Sequence, residues 1–112
     1  MKNQRQFLRK ALHCTVSLFD EQCKCVGTMV DYSESGIMIA SYQPINVEQT
    51  FTFNMFDLPK YSGNKRSGQI KVHSVWCEKI DHTQFGTGFK LLSSDSNAQT
   101  MFSSYDESHI NS

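Results

Sequence analysis

The chain reads as a mainly β protein of six short antiparallel strands, a small barrel or sandwich, with a flexible N-terminal arm and a C-terminal helix. Three observations predict this. Short stretches alternate apolar and polar residues, polar or Gly/Pro-rich turns separate them, and the period becomes helical only near the end. With 112 residues there is room for one domain and a modest core.

Each element has its own signal. Leu12, Cys14, Val16 and Leu18 alternate with His13, Thr15, Ser17 and Phe19, which predicts a first strand with one buried face. Asp20-Glu21-Gln22 makes a polar turn, and a second strand over 24–30 carries Val26, Thr28 and Val30 on one side. Ile37-Met38-Ile39-Ala40 is a short apolar third strand. A fourth spans 47–58, with Phe51, Phe53 and Met55 alternating with Thr52 and Asn54, a pattern that favours core packing over base stacking. Residues 59–68, rich in Pro, Ser and Gly, read as a hairpin loop. The fifth strand, 69–79, places Ile70, Val72, Ser74 and Trp76 on one face, so that Trp76 is expected in the barrel core. Asp81-His82-Thr83 turns the chain into a sixth strand over 85–92. Ala98, Met101, Phe102 and Tyr105 then share one helical face that covers the barrel, with Ser94, Asp95 or Ser96 as its N-cap. The organisation expected is an arm over 1–11, a barrel with its helix over 12–105, and a polar tail over 106–112.

Composition narrows the function. Eleven basic and eleven acidic side chains leave no net charge, which argues against a non-specific nucleic-acid binder. Locally the balance differs: Lys2, Arg5, Arg9 and Lys10 all precede the first acid, Asp20, so the arm is cationic on a neutral body. No apolar run has the length of a membrane span and the start lacks a signal-peptide core, so no membrane insertion and a cytoplasmic location are expected. Cys14, Cys23, Cys25 and Cys77 are expected to be reduced thiols, since a single Cys-x-Cys is not a zinc spacing. His13, His73 and His82 accompany no nucleophile motif, so neither catalysis nor a metal or cofactor is expected.

Two motifs point to a ligand. Arg5 and Arg9 form Arg-x-x-x-Arg, and 22 positions after Arg9 begins Asp31-Tyr32-Ser33-Glu34-Ser35-Gly36. Guanidinium groups make forked bonds to phosphate and to the O6 and N7 acceptors of guanine. A carboxylate such as Asp31 accepts from the N–H groups on guanine's other edge, and the Ser33 hydroxyl donates or accepts. Gly36 allows positive φ, or the approach of a ligand where a Cβ would interfere. These residues suit a guanine nucleotide with exposed phosphates. Each motif also has a plainer reading. Phe7, Leu8, Ala11 and Leu12 fit one face of a helix on which Arg5 and Arg9 would be solvated charges. Asp and Ser in turns commonly bond their own backbone.

In order and spacing the pair resembles the PilZ domain, the bacterial receptor module for cyclic di-GMP. Arg5 and Arg9 match its first motif and Asp31, Ser33 and Gly36 its second; Val75-Trp76 and Gly86-Thr87-Gly88-Phe89 are similar to its later strands. The resemblance implies a small six-stranded antiparallel β-barrel carrying a cyclic di-GMP site made by Arg5, Arg9, Asp31, Ser33 and Gly36, with Lys10 adding local charge. It further implies a receptor or adaptor, not an enzyme, that signals to a downstream protein partner. A nucleotide-independent PilZ interaction module of pilus or flagellar machinery is the alternative, followed by a small barrel for single-stranded nucleic acid.

Overall fold

The computed structural model describes residues 15–57 and 65–111, with side chains as far as Tyr105. Its strands are β1 (Val16–Phe19), β2 (Cys25–Tyr32), β3 (Gly36–Ser41), β4 (Thr50–Asp57), β5 (Arg66–Lys79) and β6 (Phe85–Ser94), followed by helix α1 (Ser96–Asn111). All neighbours are antiparallel, in the order β1-β2-β3-β6-β5-β4, and β4 pairs with β1 to close the barrel. The expected six-stranded barrel with a C-terminal helix is therefore the observed one. Closure leaves no edge strand, which a small sheet would otherwise have to protect.

Period-2 alternation fills the interior. Val16, Leu18, Ile37, Ile39, Phe53, Met55, Ile70, Val72 and Phe89 all point inward and are buried. Phe53 stacks on Phe51 at 5.3 Å and meets Phe89 edge-on at 5.6 Å, so this part of the aromatic content is core. Phe56 lies on the other side of β4, against Phe19 at 5.3 Å.

The helix completes the core from one end, where Ala98, Met101 and Tyr105 are buried among the strand residues. Asp95 is the N-cap: its Oδ1 accepts from the Ala98 N–H at 2.8 Å, and its own N–H donates to Gln69 O, which pins the start of the helix to β5. The helix comes close because Gly68 has no side chain; a Cβ there would sit 2.6 Å from Ala98 N. Gly68, expected in the hairpin loop, is thus a strand residue, and β5 begins earlier than its sequence suggests, at Arg66. At the far end the helical backbone continues to Asn111, into the segment read from composition as a polar tail.

A buried ion pair ties this end together. The carboxylate of Asp57 takes two bonds from Arg66, at 3.0 and 2.9 Å, and one from the Tyr105 hydroxyl, while Arg66 also donates to Ser104 at 2.9 Å. Asp57 has its charge compensated and its lone pairs used, which a buried carboxylate requires. The pairing registers place the β2–β3 turn, the start of β1 and the end of β6 at this same end of the barrel. The turns after β1 and β5 lie at the opposite end.

Candidate ligand-binding site

Two β-bulges decide which side chains face the site. In β2 the register slips between Met29 and Asp31, and in β5 between Ser74 and Trp76. Strict alternation would give Asp31 the inward face of Met29, and Trp76 the inward face of Ser74. The extra residues, Val30 and Val75, reverse this. Asp31 and Trp76 turn to the outer surface, and Tyr32 turns inward to be buried at 4% exposure. Trp76 is therefore not the core residue that the pattern of its strand predicts, and in β2 the buried residues are Met29 and Tyr32, with Val26 partly buried against the core.

The outward residues then line up across four strands. Asp31 pairs with Met38, Met38 with Gly88, and Gly88 with Trp76. The row has an acidic wall at one side, an aromatic wall at the other and a glycine between them. At Gly88 the Trp76 indole lies directly on the β6 backbone, where a Cβ would sit 2.2 Å from its Nε1. The resulting open cleft of about 320 Å³ is lined by Asp31, Ser33, Ser35, Met38, Trp76 and Lys90, with Gly36 and Gly88 in its floor. That volume is at the lower end of the ~300–1,000 Å³ typical of ligand pockets. Its chemistry combines a carboxylate, two hydroxyls, an exposed ammonium group and an indole face. These are the groups needed to bond the edge of a planar polar heterocycle and to stack on its face.

The turn itself is closed by its backbone. Ser33 N–H donates to Gly36 O, and Leu91 N–H donates to Ser35 O, both at 2.9 Å, while the Ser33 and Ser35 hydroxyls are 3.5 Å apart. Gly36 has a packing reason to be glycine, since a Cβ would lie 2.3 Å from the Phe89 carbonyl oxygen. The sequence reading offered positive φ or ligand approach; the structure supplies the approach of a neighbouring strand.

A family model for the PilZ domain matches residues 3–105. The chain belongs to the PilZ domain family. No curated protein matches its sequence. Among solved structures, the Bacillus subtilis inhibitor of motility, MotI/DgrA, aligns with a TM-score of 0.64 at 10% identity, over 98% of this chain and 53% of that one. At that identity the likeness concerns the fold, and this PilZ domain spans about half the length of the aligned protein.

Of the site residues read from the sequence, Asp31, Ser33 and Gly36 come together on the cleft. Arg5, Arg9 and Lys10 lie outside the described residues. Sequence reasoning missed Lys90 and the outward position of Trp76. A signal for the latter existed in the small residue Gly88, which on a neighbouring strand gives a large ring somewhere to lie. Among the described residues no group of three or more His, Cys, Asp or Glu is placed to hold a metal ion. Nor is any helix among them long and apolar enough to cross a membrane.

Proposed function

We propose that this PilZ domain is a receptor for cyclic di-GMP and passes the signal to a protein partner. Asp31 and Ser33 bond the edge of one guanine, Trp76 stacks on its face, Lys90 adds positive charge, and Gly36 keeps the turn close to β6. Arg5 and Arg9 hold phosphates and a guanine edge, with Lys10 contributing charge. The observation that carries this reading is the row from Asp31 to Trp76, which brings the second family motif and an aromatic platform onto one cleft. It is supported by topology: β1 starts at the same end of the barrel as the β2–β3 turn.

The mechanism is binding, not turnover. Family membership points to a receptor domain, and the cleft offers bonding and stacking groups. Ligand bias on the downstream partner is limited to the difference in affinity between the bound and free forms of the domain.

Calorimetric titration tests the reading. The wild type should bind cyclic di-GMP and discriminate against GMP and cyclic di-AMP, and Arg9→Ala should lose most of that affinity. A wild type that gives no heat and no competition with cyclic di-GMP would instead leave a nucleotide-independent interaction module.

A further inference from the structure

Consecutive residues of the Asp31–Gly36 motif serve opposite sides of the barrel wall. Asp31 is on the outer cleft. Tyr32 is inside, with its ring centroid 5.7 Å from that of Phe102 and 5.7 Å from that of Tyr105, both on α1. Beside this contact lies a groove of about 260 Å³, lined by Tyr32, Ser33 and Glu34 on one side and by Gln99, Phe102 and Ser103 on the other. The helix is anchored independently, through the Tyr105 hydroxyl to Asp57 and through Arg66 to Asp57 and Ser104. The Tyr32 ring therefore links an anchored helix to the cleft turn.

We infer that Tyr32 is a positioning residue, through which α1 holds Asp31 and Ser33 in their cleft-facing arrangement. This rests on the reading of that cleft as the ligand site. The physical reason is short range. One peptide unit joins Tyr32 to each neighbour, so a change of backbone conformation at Asp31 or Ser33 shifts the Tyr32 Cα and strains the contacts of its ring. That ring is buried, at 4% exposure, against the rings of Phe102 and Tyr105, so turning it disturbs both contacts. Coupling of this kind is reciprocal, so whatever fixes the turn also steadies the helix.

The test uses the full chain, without ligand first. Amide hydrogen exchange is measured at Ser33 and Leu91, whose N–H groups close the turn, and at Ile80, which donates to Gln84 O at the opposite end of the barrel. In Phe102→Ala, exchange at Ser33 and Leu91 should accelerate about tenfold while Ile80 is unchanged, and Phe102→Tyr should restore the wild-type rates. Equal acceleration at all three sites, or none at Ser33 and Leu91, overturns the proposal. Should Phe102→Ala fail to fold, Tyr105→Phe keeps the ring, removes its bond to Asp57 and should give the same selective acceleration. With cyclic di-GMP, affinity should fall about tenfold in Phe102→Ala and return in Phe102→Tyr. A wild type that binds no cyclic di-GMP overturns the ligand reading alone, because the exchange measurements are made without it.

Discussion

The two ends of the barrel both carry hairpin turns built on aspartate, and they use the carboxylate differently. At the end away from the helix, Asp81 Oδ1 accepts from Thr83 N–H, the Thr83 hydroxyl and Gln84 N–H, at 2.8 to 3.1 Å. Asp20 Oδ1 does the same for Gln22 and Lys24, both at 2.9 Å. These carboxylates stabilise their own turns. At the helix end, the Asp31 turn is closed by main-chain bonds from Ser33 to Gly36 and from Leu91 to Ser35, and Asp31 faces the cleft. The plain structural explanation for an aspartate in a turn is therefore realised at Asp20 and at Asp81. The contrast teaches that an aspartate at a turn can bond the turn's own amides, as Asp20 and Asp81 do, or lie on a cleft beside a turn that main-chain bonds close.

That contrast can be broken by substitution. The largest effect is expected at Asp31: Asp31→Ala should weaken cyclic di-GMP binding about a hundredfold, corresponding to ~3 kcal/mol for lost bonds to a charged group. Asp81→Ala should leave the affinity unchanged in the same titration, and an equal loss from both would erase the distinction. Next comes Trp76→Ala. Stacking on one base contributes ~1–3 kcal/mol, so affinity should fall about tenfold or somewhat more, while the thermal midpoint barely moves because the indole lies outside the core. A large drop in the midpoint would return Trp76 to a structural role.

Asp95 provides a third use of the carboxylate, as a helix cap. Asp95→Ala should cost ~1 kcal/mol in denaturant unfolding, and Asp95→Asn, which can still accept the Ala98 bond, should recover most of it. The smallest effect belongs to Asp81. Bonds from the Thr83 backbone and side chain, then from Gln84, hold its carboxyl below the ordinary value of 3.8. A depressed pKa means that the ionised form favours the folded state, so this stabilisation is present above the ordinary value and is lost as pH falls through the folded one. The stability difference between wild type and Asp81→Asn, read from thermal melts, should thus be greatest near neutrality and shrink below about pH 4. A difference that does not vary with pH would show that the charge on Asp81 contributes nothing.

Much of the fold was legible because alternation is a local property. Val16 and Leu18, Phe53 and Met55, Ile70 and Val72 each sit two positions apart and face inward, as the pleat requires. Ala98, Met101 and Tyr105 fall on one helical face for an equally local reason. Asp95 was legible as one of three capping candidates. What alternation could not reveal was where it fails. Val30 and Val75 look like ordinary strand residues, yet each is the extra residue of a bulge, and everything after it changes face. The ion pair of Asp57 with Arg66 was equally hidden: Arg66 looked like part of a loop, and its partner becomes a neighbour only when β4 and β5 pair.

By itself the sequence determined six short strands and a covering helix, because side-chain periodicity needs no knowledge of distant residues, and its likeness to the PilZ family pointed to the barrel. The tertiary structure alone decided that Asp31 and Trp76 face the same outer cleft and that Tyr32 meets α1. The physical reason is that a bulge is a mismatch between two strands, and such a mismatch exists only when both strands are in place.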